Sequence, residues 1–428
     1  MIKLTIEVQG DIFMLKYSVE NDVNYIYFDS IKTIRKANDL IMLLDNISKT
    51  ANHKVVFDFT KMKQQSYTGM HVMIAGVAQY YIENKGFEIS FNEKDGMYIA
   101  HTSVKNPLPI KSNIDSVKDD VFDKVLVFED SEDVSLISDL IINQLKYKYD
   151  FGTGVLAGIG WCMNEIMDNV FNHSYAARGY IMAQVHRRNK IVSISVYDTG
   201  RGLFQSITES KEYNPKYEEE AIELCVMKGV TGDRSVGQGT GMWGLYNILK
   251  ENRGHLTIAT GHTAINYDFE SGRSAVSKKI PILSNDNLST RIDFTFHFKN
   301  SININAILEN YATFENINRT IDDMMMESGW IDFKVKDESK CGYGTRQAGK
   351  ALKHHLLNMS NYMSNYDEHP MLIDFESIDI ITSSFADEFI GRLVQEIGID
   401  NFNSRFKIIN CNEDVLGLIS KAIVNRKC

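Results

Sequence analysis

Three short segments in the middle of the chain constrain its fold more than any other feature. They are NEIMDNVFNHS from Asn164, DTGRGL from Asp198 and GQGTGMWGL from Gly237. Their surroundings predict a polar helix, then a strand that ends in an aspartate and a glycine turn, and then a glycine loop that opens a second helix. Each segment alone is a weak signal, but their order and spacing predict a single ligand pocket.

The first segment predicts a helix whose polar side chains share one face. Glu165 and Asn169 are four residues apart and project from the same side, and Asn172 and His173 extend that side by one turn. A carboxamide oxygen can coordinate Mg²⁺, and a carboxylate can accept a proton from a water or hydroxyl aimed at a phosphate. The alternative, which the helix by itself favours, is a solvated polar face.

The second segment places an aspartate at the end of an apolar strand. Asp198 follows VSISVY, and Gly200 and Gly202 come after it at alternate positions. Glycines in such a turn let the backbone approach a flat ligand without obstruction by Cβ. A buried carboxylate there could accept a hydrogen bond from an exocyclic amine, such as that of adenine. A surface turn is the alternative, because D-T-G is common turn chemistry.

The third segment predicts a glycine loop that leads into a helix. Gly237, Gly239 and Gly241 alternate, and Lys228 and Arg234 lie just upstream. Successive backbone N–H groups at such a loop and at a helix N-terminus form a cradle for anions, and the two basic side chains could neutralise phosphate. The alternative is a flexible loop without a ligand.

Taken together, the three segments resemble the GHKL (Bergerat-fold) ATPase superfamily, which joins DNA gyrase, the ninety-kilodalton heat-shock chaperone, mismatch-repair ATPases and sensor histidine kinases. They are similar to its E-x-x-x-N helix, its D-x-G-x-G turn and its G-x-G-x-G lid loop, over roughly residues 125–300. The resemblance implies an α/β fold of the α+β sandwich type, with helices on one face of a mixed sheet. It also implies that ATP and Mg²⁺ bind between the helices and a mobile lid.

The resemblance implies a role for each matching residue. Glu165 falls on the general base, Asn169 on the magnesium ligand and Asp198 on the aspartate that binds adenine. Gly200 and Gly202 fall on residues that shape the adenine wall, and Thr290 falls on a threonine near the adenine. The lid glycines are matched by Gly237, Gly239 and Gly241. Residues 205–236 then correspond to the lid, although their acidic run KYEEE departs from a compact lid.

The end of the chain resembles a STAS-like domain through MLIDFESIDIITSSFADEFIGRL. The beginning shares with it a strand, a loop and a helix, which predicts a second STAS-like domain, although strand–loop–helix units are common in α/β proteins. We therefore predict four parts: a STAS-like α/β domain over residues 1–110, the ATP-binding domain over 125–300, a helical connector over 301–330 and a STAS-like domain over 331–428.

STAS domains partner bacterial serine kinases of the same ATPase superfamily, and there a serine at the start of a helix is phosphorylated. Ser384 falls near that position, with Ser383 beside it, and Thr68 is the counterpart in the first part. These residues are therefore candidate phospho-acceptors. The alternative is that they cap their helices, because Ser and Thr are preferred at helix N-termini.

Composition excludes several classes of function. A net charge of −10 argues against general affinity for nucleic acid, which requires a basic face. No stretch is typical of a signal peptide or of a membrane span. The five cysteines are scattered without metal-binding or redox spacing, as expected of reduced thiols in a cytoplasmic protein.

Three functions fit these features. The first is an Mg²⁺-dependent, ATP-hydrolysing conformational switch that regulates or assembles with partner proteins, and Glu165 favours it because a module that only binds ATP needs no base. The second is a serine/threonine kinase that acts on a STAS-like partner or on its own STAS-like domain. The third is a non-enzymatic scaffold whose conformation is maintained by bound nucleotide. In this superfamily, closure of the lid often accompanies homodimer formation.

Overall fold

The protein folds into two compact units. The first contains Met1–Ile141 and Trp161–His297, and the second contains Ile142–Gly160 and Phe298–Cys428. The computed structural model describes residues 15–28, 34–62, 67–94, 96–210, 212–230, 232, 241–308, 330–339, 342–362 and 370–426. Both units combine helices with a sheet, which confirms the predicted α+β class. Within these ranges, no helix is long and apolar enough to cross a bilayer.

A four-stranded sheet begins the first unit. Its strands are β1 (Lys16–Glu20), β2 (Val23–Tyr27), β3 (Lys54–Asp58) and β4 (Glu88–Asn92). They lie in the order β1-β2-β3-β4, antiparallel between the first two and parallel thereafter. Parallel neighbours need a crossover connection, and the helices α1 (Ile34–Ser48) and α2 (Thr68–Lys85) supply the two that this order requires.

An eight-stranded sheet forms the rest of the first unit's framework. Its strands are β5 (Leu108–Pro109), β6 (Leu126–Phe128), β7 (Gly179–His186), β8 (Ile191–Asp198), β9 (His255–Thr260), β10 (Thr263–Asp268), β11 (Arg273–Lys278) and β12 (Thr290–His297). They lie in the order β11-β10-β9-β12-β8-β7-β6-β5, and every pair except β5 with β6 is antiparallel.

The helices in this part of the chain all lie between strands of this sheet in sequence. They are α3 (Ile110–Val117), α4 (Ser131–Lys148), α5 (Val155–Asn169), α6 (Gly202–Glu209), α7 (Glu218–Cys225) and α8 (Gly241–Asn252). A π-helical turn, Val170–Ser174, extends α5. Helix α8 packs on β12 and β9, and α7 packs on β10.

Helix α2 covers the second face of the eight-stranded sheet, which the sequence did not predict. Side chains alternate between the two faces of a strand, and Ser195 and Tyr197 of β8 point toward α2. The Thr68 hydroxyl lies 2.6 Å from that of Ser195, and a Cβ at Gly76 would lie 2.6 Å from the Tyr197 ring. The central strands are therefore buried on both faces, as their apolar sequences require.

We expect Gly76→Ala to destabilise the protein by about 1–3 kcal/mol, because the added methyl group would overpack against the Tyr197 ring. The matched control is Gly417→Ala, since a Cβ at this position has no neighbour within 4 Å. Ala is the better helix former by up to about 1 kcal/mol, so the control should be neutral or stabilising. Urea unfolding of both variants measures the difference, and equal effects would contradict the packing described for α2.

The second unit is built on a three-stranded parallel sheet, β13 (Asp332–Lys334), β14 (Met371–Asp374) and β15 (Phe406–Ile409), in that order. Its helices are α9 (Ile304–Ile307), α10 (Val335–Glu338), α11 (Arg346–Tyr362), α12 (Ser383–Ala386, a π-helical turn Asp387–Gly391, and Arg392–Ile397), α13 (Ile399–Arg405) and α14 (Glu413–Arg426). The predicted connector, residues 301–330, lies outside the described residues from 309 to 329.

Candidate functional site

One cavity in the first unit brings together predicted residues from segments that are far apart in sequence. Its volume is about 400 Å³, within the range of small-molecule sites. The predicted residues among its lining are Glu165, Asn169, Asp198, Gly202, Gly241 and Thr290. Of the other predicted residues, Gly200 is described but does not line the cavity, whereas Arg234, Gly237 and Gly239 lie outside the described residues.

Asp198 is a buried carboxylate in the lining of this cavity. It is the last residue of β8, pairs with Thr290 across the sheet, and is only 5% exposed. Its Oδ1 accepts a hydrogen bond of 2.8 Å from the Gly200 N–H. Burial raises the pKa of Asp198 to about 7, although the Gly200 N–H and the Ser174 hydroxyl favour the ionised form and limit the rise. The effect of burial on this pKa is therefore larger than that of the two hydrogen bonds.

We expect Asp198→Asn to stabilise the ligand-free protein at neutral pH. The folded state raises the pKa from 3.8 to about 7, so it binds the proton more tightly than the unfolded chain does. The free energy of unfolding therefore falls as the pH rises between these values, by up to about 1.4 kcal/mol per pH unit. Asparagine has no such proton to lose, and its oxygen can still accept the Gly200 N–H.

Urea unfolding of both ligand-free proteins at pH 5 and pH 8 measures this effect. The stability difference should grow in favour of the variant at pH 8. The same pH dependence in both proteins would contradict the burial assigned to Asp198.

The two glycines after Asp198 have different steric reasons to be glycine. A Cβ at Gly200 would overlap the backbone oxygen of Ser174, so this residue allows the turn to pack against the end of the helix that carries Glu165. Gly202 has a φ of +79°, and a Cβ there would lie 2.8 Å from the Thr260 hydroxyl. Only Gly202 lines the cavity. We predicted that these glycines let a ligand approach the backbone closely. At Gly200, the Ser174 backbone makes this close approach instead of a ligand.

Glu165 lies against the start of α8. It is half-buried on α5, and a Cβ at Gly241, the first residue of α8, would overlap its Oε2. Burial raises the pKa of Glu165 to about 7, and the Asp168 carboxylate contributes to the rise by repulsion. A carboxylate with this pKa is partly protonated at neutral pH and can both accept and release a proton.

Three polar residues that line the cavity were not singled out from the sequence: Asp168, Ser174 and Ser206. Asp168 lines it one turn after Glu165, and burial raises its pKa as well. The i, i+3 spacing from Glu165 could have identified it. Ser174 lines the cavity from the π-helical turn, which has no simple sequence signal. Asn164 points elsewhere, because its Oδ1 accepts a hydrogen bond from the Ser138 hydroxyl of α4.

The acidic run in the predicted lid folds into the first turn of α7 and is tied to the neighbouring hairpin. The Glu218 carboxylate accepts hydrogen bonds from the His262 N–H at 2.7 Å and from the Thr263 hydroxyl at 3.0 Å. Glu219 forms an ion pair with Lys278. Apolar residues from α6 to Val230 line the cavity next to this region: Leu203, Ile207, Cys225 and Val230. The acidic run thus anchors one wall of the cavity to β10 and β11.

The candidate phospho-acceptors have different surroundings. Thr68 is fully buried beneath the sheet, where its hydroxyl lies against that of Ser195. Ser384 is half-buried in the first turn of α12. The residue that caps this helix is Thr382, whose hydroxyl accepts a 3.1 Å hydrogen bond from the Phe385 N–H. The capping alternative therefore applies to Thr382 and not to Ser384.

Comparison with known proteins bears on the second unit. Comparison with curated proteins found no match for this sequence. A family model of a STAS-like domain of unknown function (DUF4325) matches residues 349–416, which run from α11 to the first turns of α14. This stretch lies inside the predicted STAS-like domain and includes Ser384. The chain therefore contains a STAS-like domain in its second unit.

Proposed function

We propose that the first unit binds ATP with Mg²⁺ in the cavity and hydrolyses it, and that the protein uses this reaction as a conformational switch toward partner proteins. One observation carries the proposal. A single cavity of about 400 Å³ is lined by a buried carboxylate from a strand end, and also by a carboxylate and a carboxamide from α5 beside a helix N-terminus. These two sets of lining groups match the two chemically different ends of a nucleotide.

Asp198 would recognise the adenine ring. A buried carboxylate costs free energy unless donors satisfy it, and the exocyclic amine of adenine is such a donor. Guanine presents a carbonyl oxygen at the same ring position, which would face the carboxylate as a second acceptor. This chemistry favours ATP over GTP.

The part of the lining next to Gly241 fits the phosphates. Gly241 begins the twelve-residue helix α8, and a helix N-terminus favours negative charge. Glu165, Asp168 and Asn169 form an oxygen-rich wall there, which matches the preference of Mg²⁺ for oxygen ligands. Asn169 would hold the magnesium ion with its carboxamide oxygen. When bound, the ion neutralises charge on the phosphates.

Glu165 would act as the general base. It would accept a proton from the water that attacks the γ-phosphate, and a pKa of about 7 suits that task at neutral pH. Its half-buried position against Gly241 keeps the carboxylate at the phosphate side of the cavity.

A serine/threonine protein kinase is the second candidate, and the STAS-like match over residues 349–416 favours it. Ser384 lies within this stretch, in the first turn of a helix, and is partly accessible. In this case a serine hydroxyl, and not water, would receive the γ-phosphate, and Glu165 would accept the hydroxyl proton.

Incubation of the purified protein with γ-labelled ATP and Mg²⁺ separates the candidates. We expect free phosphate from the wild type and release that is slower by about 10²–10⁴-fold from Glu165→Gln. Label that stays on the protein and is lost in Ser384→Ala would instead establish the kinase. Bound ATP without either product would exclude both reactions and leave a non-enzymatic scaffold whose conformation depends on bound nucleotide. The absence of heat in calorimetry with ATP and Mg²⁺ would exclude the proposal as a whole.

A further inference from the structure

Three side chains with metal-binding atoms converge at the end of the eight-stranded sheet opposite the cavity. They are His255, the first residue of β9, His297, the last residue of β12, and Glu270, in the turn between β10 and β11. One ligand atom from each lies within 4.8 Å of the other two. Strand β12 starts at the cavity with Thr290 and extends about 23 Å to His297, so this cluster is separate from the proposed ATP site.

The strand register explains why the three residues meet. His255 pairs with Thr295 of β12, so His297 lies two residues further along and on the same face. On its other side, His255 pairs with Asp268 of β10, and Glu270 follows two residues later. The cluster therefore takes its ligands from three neighbouring segments of one sheet.

The local hydrogen bonds fix the positions of these side chains. Asn252 holds the His297 backbone, because its Oδ1 accepts the His297 N–H at 2.7 Å and its Nδ2 donates to the His297 carbonyl at 3.0 Å. Oδ1 of Asp268 accepts the backbone N–H groups of Glu270 and Ser271, each at 3.1 Å, and thereby shapes the turn. The backbone around the cluster is thus set before any ligand binds.

The two histidines differ in how their ring nitrogens are used. The Nδ1 of His255 lies 3.5 Å from the Asp268 carboxylate, an arrangement that orients metal-binding histidines and makes them better ligands. The Nε2 of His297 is buried and has no hydrogen-bond partner within the described part of the chain. A buried nitrogen without a partner costs free energy, and a metal ion would remove this cost.

We propose that His255, His297 and Glu270 bind a divalent transition-metal ion, with Zn²⁺ as the best match. Two imidazole nitrogens and one carboxylate are a known set of three protein ligands for zinc, with water in the fourth position. The bound ion would link the turn between β10 and β11 to the ends of β9 and β12. It would stabilise this end of the sheet and would take no part in the chemistry of the cavity.

Zinc titration tests the proposal. The full chain, without an affinity tag, is stripped with EDTA and titrated with Zn²⁺ by calorimetry in the absence of nucleotide. We expect one equivalent to bind, and we expect His255→Gln and His297→Gln each to weaken the Kd at least tenfold. His101→Gln is the matched control, because His101 is an exposed histidine of the same unit outside the cluster, and it should bind like the wild type.

Two further measurements test metal binding at the same site independently. Zn²⁺ should raise the melting temperature of the wild type and of the control but not of the two histidine variants, while all four proteins melt alike without metal. Co²⁺ should give visible absorption that Glu270→Gln weakens. Absence of saturable binding, equal affinity in all variants, or binding that is lost in Glu165→Gln but kept in the histidine variants would overturn the proposal. Because nucleotide is left out, each of these outcomes is independent of ATP binding.

Discussion

Replacing Glu165 by glutamine should lower the rate of phosphate release by about 10²–10⁴-fold, the usual contribution of a general base, with little change in the Kd for ATP. Glutamine keeps the size and polarity of the side chain beside Gly241 but cannot accept a proton. The loss should therefore appear in kcat. Single-turnover hydrolysis and calorimetry with ATP and Mg²⁺ measure the two quantities separately.

The pH dependence of the same reaction gives a second check. Glu165 must be ionised to act as a base, so the wild-type rate should rise with pH through about pH 7. Asp168→Asn removes the repulsion from the neighbouring carboxylate and should move this rise to lower pH. The matched control is Glu223→Gln, on the exposed side of α7 and away from the cavity lining. A rate reduction in this control as large as in Glu165→Gln would contradict the role of Glu165.

Replacing Asp198 by asparagine should instead weaken ATP binding itself, by roughly 10–150-fold. This range corresponds to the loss of a hydrogen bond to a charged group, about 1.5–3 kcal/mol. The asparagine oxygen would remain with the Gly200 N–H, as Oδ1 does in the wild type. Its amide group would then face the adenine amine, and two donors repel each other.

Calorimetry on the wild type, Asp198→Asn and Glu165→Gln compares the two roles directly. The expected pattern is a large increase in Kd for the first variant and almost none for the second. Misfolding cannot explain that pattern if Asp198→Asn is also the more stable ligand-free protein at pH 8. Equal losses of affinity in both variants would contradict the assignment of one residue to the adenine and the other to the phosphate side.

Helix α2 connects the N-terminal part of the chain to the cavity through a single sheet. On β8, Val196 and Asp198 line the cavity, while Ser195 and Tyr197 face α2. A change in the packing of α2 would therefore act on the strand that carries Asp198, the carboxylate proposed to bind adenine. This arrangement gives the proposed switch a physical route between the N-terminal part and the nucleotide.

Local patterns in the sequence determined the elements of the candidate site. The i, i+4 spacing of Glu165 and Asn169 requires only one helix, and the position of Asp198 at a strand end requires only one strand, so both follow from neighbouring residues. The STAS-like part was identified by its resemblance to a known domain over one continuous stretch, and the family comparison confirms a STAS-like domain over residues 349–416.

The tertiary structure alone decided which distant segments meet. Thr68 and Ser195 are 127 residues apart in sequence, and the cluster of His255, Glu270 and His297 depends on the register of neighbouring strands. Neither contact leaves a periodic signal, because helix–sheet packing and strand pairing both join residues at arbitrary sequence separations. Helix α2 is buried on every side from Thr68 to Ala78, and the mostly apolar sequence there indicates this burial but does not say against which surface the helix packs.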